Sequence, residues 1–587
     1  MYFDLSGYID YLEARGELVR INEYVNPELE IAEITDRISK TRGGGKALLF
    51  LNTGTPFPVL MNAMGSDSRI AYALGVNDLN EIPKEIDDLF KEVMSPKLSL
   101  WEKLKMLPTL KQVSDWMPKN IKTKSPACQE VVMPSPKLSD MPILKCWTYD
   151  GGRFITLPLV HTKDAETGLR NVGMYRIQVY EDALAGMHWH RHKTGARHFE
   201  TYREKGQLMP IAITLGGDPA YTWCATSPLP ENLDEYLLAG FLRKRPVRLV
   251  KCLTQDIEVP EDSDFVIEGY IDPNEAFVSE GPFGDHTGYY SLKDLYPKMH
   301  ITCITHRKGA VYPATVVGIP PQEDAYIAKA IEKVFLKPIQ LVIAPEVTDM
   351  FLPEQGVTHN IAIISINKSY PGQAIKIANA MWGAGQMMFS KLIVVVDSDI
   401  NIRSINDVLD AVIKYWNPSV DTHFGRGPLD VLDHAARQAG FGGKMCIDAT
   451  RKMLEEEVTT EATPEADKAY VFYNEDKIPQ TNAKLKIMFD AVVDVTDFNT
   501  CIWIAGNNVD VSYDCKIENN SLLIDATTKF GHKDFHRPWP NIVCMDDETI
   551  KSVDEKWGKL NLGRFIPSPS LKYKYLVKSK GAQIELP

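Results

Sequence analysis

Histidine recurs at every second position in the run MHWHRHKTG, as His188, His190 and His192. In an extended strand, side chains i, i+2 and i+4 share one face. Three imidazoles aligned this way suggest a metal or cofactor surface, since neutral imidazole is the commonest metal ligand. The pattern fits a solvated or packed barrel edge equally well. A second chemical pair lies further along, where Glu280 and Asp285 flank GPFG in EGPFGDHTGYYS. Such a turn can bring two carboxylates together so that one raises the other's pKa. A carboxylic acid kept protonated near neutral pH can deliver a proton to carbon. Read alone, the same residues make an ordinary Asp-bearing turn. Arg176, in NVGMYR, offers a planar guanidinium able to orient a carboxylate bidentately.

These residues need strands to hold them. The alternation predicts one strand over 172–180, a break over 181–186 and a second strand over 187–192 carrying the histidines. The surrounding region 128–313 is rich in short runs separated by Gly, Pro and Asp (EVVMP, ITLPLVHT, MPIAITLGG, RPVRLVKC, DFVIEGYI, HITCITHR), the pattern of a barrel or sandwich. Its one strong helical pattern is ENLDEYLLAGFLRK. Before it, 1–127 reads helix, strand, helix, strand and then a Pro-punctuated cap and linker, an N-terminal α/β domain. After it, 314–453 alternates again: EDAYIAKAIEKVFLK, GQAIKIANAMWGAG and SINDVLDAVIKYW as helices, and IQLVIAP, HNIAIISI and KLIVVVDSDI as strands. This predicts a doubly wound C-terminal α/β domain.

The remaining 454–587 opens on an acidic, Thr-rich linker, LEEEVTTEATPEAD, and then echoes what precedes it. KLKIMFDAVVDVTDFNT resembles KLIVVVDSDINIRSIND, and IDATTK matches IDATRK. The spacing between equivalent residues is 93 at first (397 to 490) and 77 at the end (448 to 525). We expect a shortened partial repeat of the last α/β segment. The fold class expected is therefore a multi-domain α/β chain with a central split β-barrel and an extra, duplicated segment.

Composition narrows the partners. A net charge of −13 argues against nucleic acid, which calls for a basic patch. Nine scattered cysteines without a C-x-x-C pair suit a reducing cytosol rather than a disulfide scaffold or zinc ribbon. The N-terminal stretch MYFDLSGYIDYLEARGE lacks the basic and apolar regions of a signal peptide, and no apolar run reaches a bilayer-spanning length of roughly 20 residues.

NVGMYR with MHWHRHKTGA, then ENLDEYLLAGFLR, then EGPFGDHTGYYS resemble, in this order, the central segments of the UbiD family of decarboxylases. The resemblance runs from FDLSGYIDYLEARGELVRI to about Lys452 and weakens beyond. It implies a split barrel of the flavin-reductase kind and reversible, non-oxidative decarboxylation of an aromatic acid with prenylated FMN as the electron sink. It implies Mn2+, with K+ as a further ion, held by Asn171, His192 and Glu235 against the cofactor phosphate. Met174, Tyr175, Arg176, His188, Trp189, His190, Lys193 and Thr194 match the cofactor-contacting segment, and Lys391 stands where relatives place a cofactor lysine. His188 and His190 then line the cofactor, leaving His192 as the ligand. Many relatives carry Arg at 188 and Arg-Gly at 193–194, so this chain departs from the pattern there. Arg176, Glu280 and Asp285 match the catalytic trio, with Asp285 as proton donor.

The resemblance further implies a hydroxybenzoate- or polyprenyl-hydroxybenzoate-like substrate. PPQEDAYI leans toward the quinone-biosynthesis branch, ubiquinone or menaquinone. It also implies a flavin prenyltransferase as cofactor supplier and a cytoplasmic homo-oligomer, dimer or hexamer, peripheral to the membrane for a polyprenylated substrate. Two other classes stay open on the residues: a metal-dependent hydrolase built on His188, His190 and His192, and a non-catalytic flavin-binding protein.

Overall fold

The computed structural model describes residues 4–94, 107–190, 193–456, 468–477 and 479–585. The chain forms two compact units, Met1–Ile327 with Val543–Lys574, and Ala328–Ile542 with Tyr575–Pro587.

The first unit begins as expected, with helices and strands alternating. Leu18–Tyr24 runs parallel to Ala47–Asn52, which pairs antiparallel with Val59–Met61. The fourth strand of this sheet, Tyr312–Pro313, arrives from the far end of the barrel region. Leu48, Leu49 and Phe50 are buried in succession, as a strand covered on both faces requires.

The middle of the unit is a nine-stranded sheet that curls as a half-barrel. Its centre pairs Met209–Leu215 with Phe265–Ile271 in unbroken antiparallel register. Both runs are rich in β-branched residues, whose stiff side chains pack well on a pleated surface. Phe265–Ile271 in turn pairs with Lys298–His306.

At the site end, β1 (Arg170–Met174), β2 (Ile177–Glu181) and β3 (Leu184–Met187) follow one another. β2 and β3 form a hairpin, with Met187 opposite Ile177. This corrects the sequence reading in two places. The first run is broken at Tyr175–Arg176, and half of the residues assigned to a break, 184–186, belong to the second strand. The strand ends at Met187, so His188 and His190 lie in the segment beyond it. The alternating pattern continued, but the pairing that makes a strand did not.

A further helix, α1 (Thr194–Lys205), was not predicted. It buries Gly195, His198, Phe199 and Tyr202, which are at helical spacing. Its charged remainder and leading Gly hid that signal. Left-handed Gly206 ends it. The expected helix α2 (Glu235–Arg243) is present, with the Asp234 carboxylate accepting from Tyr236 N.

The second unit contains a parallel core of β4 (Ile361–Ile366), β5 (Leu392–Asp397) and β7 (Phe441–Asp448), with β6 (Thr422–Pro428) antiparallel on β7 and helix α3 (Ile405–Tyr415) following β5. The strand expected in IQLVIAP is instead the end of a helix, Glu323–Val342, which continues through Pro338. The edge strand comes later, at Val347–Phe351. A short apolar run does not distinguish the two by periodicity.

The repeat appears as architecture. β8 (Tyr470–Asn474), β9 (Leu485–Phe489), helix α4 (Phe498–Asn508), β10 (Cys515–Glu518) and β11 (Ser521–Asp525) form a sheet in the order β8-β9-β11-β10, matching β4-β5-β7-β6 in order and direction. The corresponding Asp-Ala-Thr turns make the same bonds: Thr450 N and Oγ1 donate to Asp448, and Thr527 N and Oγ1 to Asp525. Part of the expected linker, 457–467, lies outside the described residues.

The chain then returns to the first unit. Helix α5 (Asp547–Lys556) packs on the helix Glu30–Ser39, where fully buried Arg37 donates to Glu33 at 2.6 Å, Asp554 at 2.7 Å and the Ile566 carbonyl at 3.0 Å. All nine cysteines are unpaired thiols. Among the described residues, no helix is long and apolar enough to cross a membrane.

Candidate active site

Arg176 sits at the break between β1 and β2 and is the centre of the site. Its Nε and Nη2 donate to the two oxygens of Glu280 at 2.8 and 2.9 Å, a bidentate fork. Nη1 donates to Asp285, and Nη2 also reaches Ser291 Oγ at 3.0 Å. The guanidinium carbon lies 4.8 Å from the centroid of the Phe283 ring, a cation–π distance. The sequence reading of a trio thus comes together in space, from residues more than a hundred positions apart.

The electrostatics differ from the expectation. Burial would raise Glu280, but the Arg176 guanidinium and His188 hold it down at about 2. Burial likewise opposes ionisation of Asp285, yet the His286 ring and Arg176 hold its carboxyl below the usual range. The two carboxylates do not push each other up, because Arg176 stands between them and is paired with both.

The histidines have distinct roles. His188 is buried, and its Nδ1 faces Glu280 Oε2 at 3.0 Å. Its pKa is lowered by burial and by Arg176, which favours the neutral ring. With Glu280 an acceptor only, Nδ1 carries the proton and Nε2 accepts from His190 Nε2 at 3.0 Å. His188 therefore bonds to both Glu280 and His190. His192 lies outside the described residues.

Three residues shape this site that the sequence reading did not name. Asp150 accepts from Gly284 N at 2.7 Å, Trp147 N at 2.9 Å and Cys146 N at 3.1 Å, clamping the GPFG turn. Burial pushes its carboxyl up to about 7 against those bonds. Gln178 accepts from Gly281 N at 2.8 Å and donates to Gly151 O at 3.0 Å. His286 holds Asp285 through its ring at 3.0 Å and its backbone N–H at 2.8 Å. Only His286 carried a local signal, in GDHTG. The other two act from a distance.

Glu235 is anchored on the backbone of β1, one residue after Asn171. Glu235 Oε2 accepts from Val172 N at 2.9 Å, the residue next to Asn171. Burial pushes Glu235 up to about 7, since the neighbouring Arg170 is bound to Asp234. Asn171 Nδ2 is buried without a partner, as is Trp189 Nε1 in the cofactor-matching segment. A buried carboxyl and an amide are oxygen donors of the kind a hard cation takes. In donor type, Asn171 and Glu235 fit the expected metal; the third expected ligand, His192, lies outside the described residues. Among the described residues, no group of three or more His, Cys, Asp or Glu side chains could hold one.

Lys193 is the N-cap of α1 and Thr194 its first residue. A helix N-terminus favours a phosphate. Met174 ends β1, and Tyr175 is buried, its hydroxyl pushed up to about 12 by that burial. Lys391 lies in the second unit, where its ammonium is 2.7 Å from Asp433 and donates to Val509 O at 3.1 Å.

Comparison with known proteins identifies the family and the fold. Residues 9–89, 119–320 and 325–449 match, respectively, the N-terminal, Rift-related and C-terminal domains of 3-octaprenyl-4-hydroxybenzoate carboxy-lyase, UbiD. The chain is 49% identical to an uncharacterised protein of Aquifex aeolicus and 45% identical to one of Archaeoglobus fulgidus, covering 94% and 93% of them with 78% of its own length. Its fold is similar to that of vanillic acid decarboxylase from Sedimentibacter hydroxybenzoicus (27% identity, TM-score 0.68, 79% of this chain and 95% of that one). It is also similar to the UbiD-class enzyme HmfF from Pelotomaculum thermopropionicum in complex with FMN (26% identity, TM-score 0.65, 78% and 97%). Together, the matching domains and a fold of this kind define a carboxy-lyase of the aromatic-acid class. The chain belongs to the UbiD family.

Proposed function

We propose that the protein removes CO2 reversibly and without net oxidation from an aromatic, hydroxybenzoate-like carboxylic acid, using prenylated FMN. The observation that carries this reading is the asymmetric pairing of Arg176. Glu280 holds two of its nitrogens in a buried fork, while Asp285 occupies another and is also held by His286. A substrate carboxylate has the charge and shape to take the Asp285 place on the guanidinium. Freed from Arg176 in a buried setting, Asp285 becomes more basic and can collect a proton, with His286 beside it. It then gives that proton to the ring carbon that has lost CO2. Glu280 stays ionised throughout, and His188 fixes its orientation. Bound prenylated FMN supplies the electron sink for the pair left by the departing CO2.

Met174, Tyr175, His188, Trp189, His190, Lys193 and Thr194 would surround the flavin and its phosphate. Asn171 and Glu235, with His192, would hold Mn2+ against that phosphate, with K+ as a further ion. A vanillic acid decarboxylase and FMN- and prenylated-FMN-bound HmfF among the similar structures support the substrate class and the cofactor. A quinone-precursor acid, a flavin prenyltransferase as cofactor supplier, a cytoplasmic location and a homo-oligomer complete the proposal.

Asp285→Asn keeps the size and most hydrogen bonds but cannot deliver the proton. It is expected to bind flavin and an aromatic acid and to lose turnover by about 10²–10⁴-fold. Wild-type product formed in D2O should carry deuterium at the former carboxylate carbon. Near wild-type turnover in Asp285→Asn, together with loss in Glu280→Gln, would reverse the two roles.

A further inference from the structure

The two copies in the second unit touch, and the touching residues correspond to one another crosswise. Lys391, just before β5, donates from Nζ to the carbonyl of Val509, just after α4, at 3.1 Å. Its counterpart Lys484, 93 positions on and just before β9, donates to the carbonyl of Trp416, just after α3. Val509 is itself 93 positions beyond Trp416.

A second pair repeats the exchange. Ser419 Oγ donates to Asn520 Oδ1 at 3.1 Å. Ser512, 93 positions after Ser419, packs on Gly443, which is 77 positions before Asn520. The approach is so close that a Cβ at Gly443 would lie 2.2 Å from Ser512 N. Residue i of the first copy thus meets j of the second, while j of the first meets i of the second. Two similar modules packed at random would not exchange partners in this way. Crosswise exchange is the mark of an isologous, two-fold contact between identical subunits.

The contact is sealed by buried polar bonds. Asp510 accepts from Arg437 N at 3.0 Å and Gly443 N at 3.2 Å. Arg437 pairs with Asp514 at 3.0 Å. His434 Nε2 faces Asn508 Oδ1 at 3.1 Å, and Asn360 Nδ2 donates to Gly506 O at 3.0 Å.

We propose that the second copy is a two-fold partner carried in cis. It occupies the face of the first copy that the same module of another chain would take, and so closes that face to self-association. Covalent connection makes the pairing intramolecular, and its effective concentration exceeds that of any free chain at micromolar levels.

Full-length chain carrying Ser419→Cys and Asn520→Cys tests this. After mild oxidation at micromolar concentration, the bond is expected within one chain: a single-chain band on a denaturing, non-reducing gel, with the linked peptides identified by mass spectrometry. Wild type run alongside accounts for the nine native thiols. The two single variants, co-expressed, should give no cross-linked dimer. A dimer band from co-expression would show that another chain supplies the partner and would overturn the proposal. Failure to form the bond in the double variant, with both new thiols reacting with maleimide, would overturn the crosswise contact itself. A photoreactive benzoylphenylalanine in place of exposed Ser419, mixed by co-refolding with ¹⁵N-labelled chain, needs one substitution only. Links into β10–β11 should join light to light, and light-to-heavy links would contradict the cis arrangement.

Discussion

Arg176 belongs to two carboxylates, and they do not hold it equally. Glu280 is fully buried and fills a two-pronged fork, whereas Asp285 has a second partner in His286. The sign of the Glu280 shift sets a pH test. Its folded pKa, about 2, lies below the ordinary 4.5, so its contribution to stability is complete above 4.5 and is lost as pH falls toward 2. Thermal melts across that range should fall more steeply for wild type than for Glu280→Gln, and equal slopes would mean that the pair contributes nothing. Glu235 makes a different prediction, because burial raises it to about 7 and its neighbour Arg170 is paired with Asp234. Glu235→Ala should lose bound metal and flavin together, read by metal analysis and flavin absorbance on the purified protein. Full FMN occupancy without metal in this variant would remove Glu235 from the site.

At the scale of elements, the site depends on turns and caps more than on strands. The break at Tyr175–Arg176 interrupts one strand. The GPFG turn is clamped by Asp150 and Gln178, and α1 begins directly after the histidine segment. These features account for what sequence patterning saw and missed. Periodicity located α2 and the barrel strands, and ran β1 and β2 together as one strand, because burial on one face repeats at the element's own period. It placed the second hairpin strand too late, because alternation of residue types persisted beyond the last paired residue. The packing of α5 on the helix Glu30–Ser39 had no local signal. There Arg37 is fully buried among Glu33, Asp554 and the Ile566 carbonyl. Arg37→Met should cost about 3–5 kcal/mol in the first unfolding transition by urea, since it strands a buried carboxylate. Burial raises Glu33 to about 7 even beside Arg37, so the loss should be smaller at pH 5, where the stranded carboxyl is protonated. A loss independent of pH would point to packing alone.

For the whole molecule, connectivity is the unusual feature. The chain leaves the first unit at Ile327, returns for Val543–Lys574 and ends in the second. The repeat is inserted before that return, so the second unit holds two copies of one topology in a single chain. Association of whole chains, as proposed, must then use surfaces other than the face shared by the copies. Light scattering at micromolar concentration should report a mass above the 66.1 kDa of one chain. A single-chain mass would refute the oligomer and leave the internal pairing untouched.

The sequence by itself pointed to the layers, the repeat and the three residues Arg176, Glu280 and Asp285 that meet in space. Residue type, period and motif are local properties, and all of these are written locally. Tertiary structure decided how those groups behave. Whether Glu280 and Asp285 raise or lower each other depends on what stands between them, and that is a guanidinium brought from more than a hundred positions away. The same holds for His188, whose lowered pKa follows from burial and Arg176 and whose tautomer follows from Glu280 and His190, and for the crosswise contacts of the copies. A charge's pKa and a contact's symmetry are set by neighbours in space, and the spacing of residues along a chain does not specify them.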